Sequence, residues 1–364
     1  MEIRFFHLAD IHIGKCYSTH CLSHAHAESR RNETWGTFAR ICGRAKDEGV
    51  DFILIAGDLF DSHYCSLQDL LGVSELFASL SPMSIYVIAG NHDPLGEKSV
   101  YHWVKWPKNV YVFSSQQFEK IELEEKSLTI WGKSWDRKED VKACAVPYIN
   151  PDTKNLLMHH GDLDLEGSIY ANLSSKNIQE ANFEYVALGH IHRPEIFKKF
   201  TGAYAGSPEP LDFGEYGEHG YMDVRIKDGQ TDIQFIPESS RKFIAFQIEA
   251  SATDTVLSLA TKIRSHVIDL QPNKDFFKVT ITGYWDGQFE LASNQLKALL
   301  ESEFYDLTIR DQTKSDLNIE RLEQIYGDSA VGRYIRTIQS SDLDELVQRQ
   351  ALYIGLEALL KGKK

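Results

Sequence analysis

The chain has 364 residues, 42% of them hydrophobic and 25% charged, enough to bury more than one core and unlike a disordered or fibrous protein. Its formal net charge of −14 excludes a generally basic nucleic-acid-binding surface, so contact with DNA would need a local basic groove, a metal site or a basic partner. No apolar run approaches the roughly 20 residues of a bilayer span, and five irregularly placed cysteines suit reduced thiols rather than a disulfide framework. The N-terminal MEIRFFHLAD lacks the basic and apolar regions of a secretion signal, so a cytoplasmic protein without membrane contact is expected.

Taken in order, IRFFHLAD is a strand candidate. The stretch from Arg30 to Glu48 puts Trp35, Phe38, Ala39, Cys42 and Ala45 on one helical face, with Gly49 at the capping position. VDFILIAGD is a second buried strand. SLQDLLGVSELFASL opens with the capping-box pair Ser66 and Asp69 and places Leu67, Leu70, Leu71 and Phe77 on one face. SIYVIAG is a third strand. This alternation predicts parallel pairing with right-handed crossovers in a layered α/β domain. Further strands are expected near 110–113, 128–132, 155–159 and 185–188, with a turn towards β near 221–236. After Phe243, FIAFQIE, a helix carrying Val256, Leu259, Ala260, Ile263 and Val267, FFKVTITGY, a helix around Leu296 to Leu300, and YDLTIRD read as a compact β-α-β-α-β domain. From about Ser315 the chain reads as helical, with Leu343, Leu346, Val347, Ala351 and Ile354 as an apolar stripe. The expected units are 1–240, 241–312 and 313–364.

Several strand runs end alike. IYVIAGNHD leaves Asn91, His92 and Asp93 past the strand; FHLADIHIG leaves Asp10 and His12; FILIAGDLFD leaves Asp58. NLLMHHGD leaves His159 and His160, and YVALGHIHRP leaves His190 and His192. In a parallel α/β sheet, ligands bind beyond the carboxyl ends of the strands. Mixed carboxylate, imidazole and amide donors suit Mn²⁺, Fe²⁺ or Zn²⁺. Asp10, His12, Asp58, Asn91, one histidine of the 159–160 pair, His190 and His192 make seven donors, too many for one catalytic ion with an open position but suited to two ions that share a carboxylate.

The set DIH, GDLFD, GNHD, HGD and GHIH resembles the calcineurin-like metallophosphoesterases. The longer stretches ETWGTFARI, VDFILIAGDLFD, ALGHIHRP and GSPEPLDFGEYGEHGY narrow the likeness to the SbcD-type nuclease subunits of bacterial SbcCD complexes. The resemblance implies a four-layer α/β/β/α two-sheet sandwich, a small α/β capping domain that shapes or measures the DNA, and a helical C-terminal tail. It implies a Mn²⁺-dependent exonuclease or endonuclease of DNA double-strand-break repair, in which a metal-bridging hydroxide attacks the phosphorus. Asp10, His12 and His192 would hold one ion, and Asn91, His190 and the HGD histidine the other, with Asp58 bridging. His92 would position the phosphate or protonate the leaving oxygen, with Asp93 behind it. The implied partners are DNA, an SbcC-like coiled-coil ATPase that docks on the tail, and a second copy of the chain.

Some alternatives stay open at this level. Neighbouring residues of a strand face opposite sides, so only one of His159 and His160 can point at the metal; the HGD spelling favours His160. Asp61 stands where archaeal members carry a substrate-contacting His. CYSTHCLSHAH holds Cys16, His20, Cys21, His24 and His26, but its spacing fits no standard zinc finger and reads as a polar loop. Arg30, Arg31, Lys105, Lys108, Lys198 and Lys199 could line a phosphate groove or form a solvated face, and Trp103 and Trp106 could stack on bases or pack in the core. The competing functions are a phosphodiesterase or phosphatase for small or RNA substrates, and a scaffold with a vestigial metal site.

Overall fold

The computed structural model describes residues 2–17, 24–114, 117–136, 145–150, 153–251, 253–286, 293–316 and 319–361. Much of the CYSTHCLSHAH stretch therefore lies outside the described residues. The chain divides into two compact units, Met1–Lys242 and Phe243–Lys364.

The first unit runs β1 (Ile3–Leu8), α1 (His24–Asp47), β2 (Phe52–Ala56), α2 (Leu67–Ser79), β3 (Ser84–Ile88), β4 (Val110–Val112), β5 (Glu119–Leu123), β6 (Leu128–Gly132) and β7 (Lys154–His160). It continues with α3 (Ser175–Ala181), β8 (Tyr185–Gly189), β9 (Glu195–Ile196), β10 (Gly202–Tyr204), β11 (Gly220–Lys227) and β12 (Gln230–Pro237). Two six-stranded sheets result, ordered β12-β11-β1-β2-β3-β4 and β5-β6-β7-β8-β10-β9. Strands β1 to β4 pair in parallel, as do β6, β7 and β8.

Period-2 alternation explains why these strands are apolar throughout. Phe5, Phe52, Leu54 and Ile88 join Ile130, Leu156, Met158 and Ala187 in one core that draws on both sheets. Phe6, Leu8, Ile53 and Ile55 face the other way, onto Phe38 and Ile41 of α1 and Leu70, Val73 and Phe77 of α2. Leu157, Val186 and Leu188 meet Ile178 of α3 on the far side of the second sheet. The architecture is thus mixed α/β with two large sheets between helical layers, as expected for a metallophosphoesterase sandwich.

Local chemistry sets the helix bounds. Helix α1 is described from His24, ahead of the expected Arg30. Ser66 caps α2 in a complete capping box with Asp69. Its buried stripe is Leu70, Val73 and Phe77, whereas Leu67 and Leu71 stay exposed because they lie off that i, i+3, i+7 line.

In the second unit, β13 (Phe243–Ala250), β14 (Phe276–Asp286) and β15 (Asp306–Asp311) form a parallel sheet. Helices α4 (Val256–His266) and α5 (Ser293–Leu300) contribute Leu259, Ile263, Leu296 and Leu300 to its core. A short β16 (Lys314–Asp316) pairs with the end of β14, so the stretch expected to be wholly helical opens with a strand. Then α6 (Ile319–Tyr326), α7 (Ala330–Gln339) and α8 (Glu345–Lys361) pack through Leu322, Val331, Ile335 and Leu356. Leu343, Leu346, Val347 and Ile354 remain exposed. Among the described residues, no helix is long and apolar enough to cross a membrane.

Candidate metal centre

The donors lie at or just past the carboxyl ends of β1, β2, β3, β7 and β8, where parallel strands deliver their loops to one edge. Backbone hydrogen bonds lock the first two loops together: Asp10 N–H donates to the Gly57 carbonyl (3.1 Å) and His12 N–H to the Asp58 carbonyl (2.9 Å). Asp10 (φ +52°), His12 (+53°), Asp58 (+52°) and His190 (+104°) all hold left-handed backbone, which side-chain-bearing residues avoid. Two glycines permit the crowding. A Cβ at Gly57 would overlap the His160 ring, and one at Gly90 would overlap Asp58.

Two donor clusters result. In the first, Asp10, His12 and His192 present ligand atoms within 4.8 Å of one another, and the Nε2 atoms of the two histidines are 3.2 Å apart. In the second, Asn91 Oδ1 lies 2.9 Å from His160 Nε2 and 3.1 Å from His190 Nδ1. Asp58 belongs to both, its Oδ2 lying 3.4 Å from His160 Nε2 and 3.7 Å from His12 Nε2. Asp10, His12, Asp58 and His160 are each at most 2% exposed.

The electrostatics show that this donor set fits cations. Burial pushes the Asp10 carboxyl up to about 6, against the pull of His192 and His160. Burial also drives His12 well below the usual imidazole range, and His190 down to about 4. His160 is raised to about 9 against burial because Asp58 lies beside it. His192 reaches about 9, again against burial, through its hydrogen bond to Glu215. Asp58 falls below the ordinary carboxylate range despite its burial, held there by His160 and His12. In the bare protein, protons on His160 and His192 therefore supply the positive charge that the buried carboxylates require. Divalent ions bound by the same atoms would displace those protons.

The structure brings His160 rather than His159 to the cluster. His160 Nδ1 donates to the Ala56 carbonyl (2.9 Å), which leaves Nε2 to face Asp58 and Asn91. His159 points to the opposite side, with Nε2 2.6 Å from the Ala171 carbonyl. His92 stands at the rim: its backbone N–H donates to Asp58 Oδ1 (2.8 Å), and its ring lies perpendicular to that of His12 at 4.8 Å. Asp93, expected behind His92, does other work. Its buried carboxylate accepts from Phe60 N–H (3.0 Å), Gly90 N–H (2.7 Å) and the Tyr101 hydroxyl (2.7 Å), so it fastens the loop rather than the His92 ring. Asp61 takes the place expected for Asp93: its carboxylate groups with His12 and His92 within 4.8 Å.

Two supporting carboxylates escaped the sequence reading. His192 Nδ1 donates to Glu215 Oε1 (2.6 Å), and Glu215 Oε2 accepts from Leu211 N–H (2.8 Å). Asp162 Oδ1 lies 3.5 Å from His190 Nε2. Carboxylates behind ligating histidines orient the ring and raise its basicity. Two groove candidates are otherwise engaged, because Arg30 is buried between Glu33 and Glu209 and Arg31 pairs with Asp69. Trp106 packs on Phe60, Phe77 and Tyr101, whereas Trp103 is 54% exposed.

Comparison with known proteins agrees with this geometry. The sequence profile of the calcineurin-like phosphoesterases matches residues 3–194. The chain is also similar to the uncharacterized metallophosphoesterase YhaO of Bacillus subtilis (strain 168), with 25% identity over 375 aligned residues that span 95% of this chain and 90% of that one.

Proposed function

The chain belongs to the calcineurin-like phosphoesterase family, and on that premise we propose that it is a Mn²⁺-dependent DNA nuclease of double-strand-break processing, acting with an SbcC-like coiled-coil ATPase. The family uses a dinuclear metal centre, and hydrolysis of a phosphoester is the activity its site serves. The single observation that carries the phosphoesterase part of the reading is Asp58 Oδ2 set between His160 and His12, one carboxylate common to two donor clusters.

Asp10, His12 and His192 would hold one cation, and Asn91, His160 and His190 the other, with Asp58 common to both. Such a pair supplies Lewis-acid polarisation of the phosphoryl oxygens and activation of a water for in-line attack. The chain's own groups do the rest. Glu215 and Asp162 aim the imidazoles of His192 and His190. Asp93, through three hydrogen bonds, fastens the Gly90–Asp93 turn, which would present Asn91 to a cation and His92 to a substrate. His92 is the acid that returns a proton to the leaving oxygen, and the Asp61 carboxylate is grouped with it and His12 at the rim.

The narrower assignment to DNA rests on the extended motifs shared with SbcD-type subunits, and on the α/β sheet with appended helices in the second unit. The exposed Leu346, Val347 and Ile354 of α8 suit docking on a partner coiled coil. That partner could also bring the basic surface that a chain of −14 lacks. A nuclease homodimer is part of the same proposal. The test is incubation with Mn²⁺ and labelled duplex DNA, alone and with the ATPase, beside bis-p-nitrophenyl phosphate. Cleavage of both supports the nuclease. Hydrolysis of the small ester with no DNA cleaved, even with the ATPase present, would replace it by a small-substrate or RNA phosphodiesterase, the competing reading.

A further inference from the structure

Most arginines of the first unit are consumed by carboxylates. Arg4 pairs with Glu48 and Asp223, Arg30 with Glu33 and Glu209, Arg31 with Asp69, and Arg44 with Glu238. Two cations beside the metal centre are not. Arg193 directly follows the donor His192 and is exposed, with no ion pair among the described residues. Lys15 follows His12 in a tight turn, its N–H donating to the His12 carbonyl (3.0 Å); it is half-buried and likewise without an ion pair. Because His12 and His192 touch through their Nε2 atoms at 3.2 Å, the two free cations are carried by the two segments that meet at the first donor cluster.

Arg193 also lines a cavity of about 660 Å³ with Glu215, Tyr216, His219 and Phe235. That volume is in the range of small-molecule sites. Its wall is the segment that holds His192, through Glu215. Tyr216 is 61% exposed, and Glu218 beside it is neutralised by Lys242. The cavity therefore offers one open guanidinium and an aromatic surface on the segments that carry His192 and its partner Glu215, an arrangement suited to an anionic group that carries a flat ring.

The geometry points to Lys15 and Arg193 as a clamp for the phosphate next to the scissile one, with the Arg193–Tyr216 cavity receiving its nucleoside, so that the site selects a nucleic-acid strand over an isolated phosphoester. This rests on the phosphodiesterase reading above and names its specificity-determining residues. Arg suits a phosphate because its fork donates two parallel hydrogen bonds, and an aromatic face accepts any base. An acidic chain would repel a polyanion everywhere except where cations remain unspent.

The test uses the full chain with a short fluorescein-labelled oligothymidylate, in EDTA to prevent cleavage. Binding would be followed by anisotropy over a range of salt for the wild type, Lys15→Gln, Arg193→Gln and, as a surface control, Lys176→Gln. Each clamp variant should raise Kd about 5- to 10-fold and flatten the log–log salt slope by about 0.7, the value for one lost single-strand phosphate contact. With Mn²⁺, KM for the oligonucleotide should rise in both clamp variants far more than KM for bis-p-nitrophenyl phosphate, which has no second phosphate. A wild type that does not bind the oligonucleotide, salt slopes that match the control, or equal rises in both KM values would overturn the clamp. Failure of the wild type to hydrolyse either ester would instead overturn the phosphodiesterase reading beneath it.

Discussion

His12 Nε2 and His192 Nε2 stand 3.2 Å apart, although 180 residues separate them in the chain. Two imidazole nitrogens at that distance need a proton or a cation between them, and His192 is the one raised to about 9. In the bare protein the proton answers that need.

Divalent ions should therefore stabilise the fold. Ligand that binds only the native state at 100 times its Kd adds about 2.7 kcal/mol. The expected outcome is a melting temperature several degrees higher in Mn²⁺ than in EDTA, with protons released on binding in a calorimetric titration run in two buffers. Identical melting curves in the two conditions would remove the metal centre from the account.

Asp58→Asn and His92→Ala should separate two kinds of loss. Asp58 is common to both donor clusters, so its variant should bind at most one Mn²⁺ tightly and lose activity by about 10³-fold or more. His92 lies at the rim, so its variant should keep both ions yet lose about 10²- to 10⁴-fold in turnover. Metal counting by elemental analysis beside the kinetics decides the matter, and a metal-depleted His92→Ala would contradict the assigned acid.

Glu215→Gln should loosen His192 without removing it. Loss of such a supporting carboxylate typically weakens metal affinity about 10- to 100-fold. Isothermal titration should show the effect on one ion only, with restoration of activity at high Mn²⁺; activity lost at saturating metal would point to a direct role in the chemistry instead.

Acid should destabilise the first unit through His7. This ring is fully buried against Tyr185, with Nδ1 2.8 Å from the hydroxyl, and burial lowers its pKa from 6.5 to about 3. The unfolded chain thus binds a proton that the folded chain refuses. Its contribution to stability is fully present above about pH 6.5, falls as pH drops, and levels off below pH 3 at a loss on the order of 3–5 kcal/mol. His7→Gln, followed by urea denaturation in EDTA between pH 7 and 4, should show a shallower decline than the wild type. Parallel curves would show that the ring is protonated in the fold.

The legible part of the site followed from the strands. Runs such as FILIA and YVALG are apolar on both faces because both faces are covered, and the polar groups after their glycines could only lie at the sheet edge. Choosing between His159 and His160 required the sheet itself: β7 pairs His160 with Gly189, where the missing Cβ makes room for the ring. Glu215 was illegible for a different reason. It lies 23 residues after its partner in a loop that also carries Glu209, Asp212 and Glu218, and nothing local distinguishes the carboxylate that reaches His192. Asp93 was misplaced because adjacency suggested a partnership with His92, whereas the turn directs its side chain down onto Phe60 and Tyr101. Arg30 reads as a surface cation in sequence because one of its two carboxylate partners, Glu209, is 179 residues away.

The four donors in left-handed backbone carry a consequence of their own. Each such residue costs the fold about 1–3 kcal/mol whether or not an ion is present. Glycine at any one of these positions would relax that tension and at the same time remove a donor. Stability and cation binding therefore pull in opposite directions at Asp10, His12, Asp58 and His190, and the strain falls on the groups that the two donor clusters need.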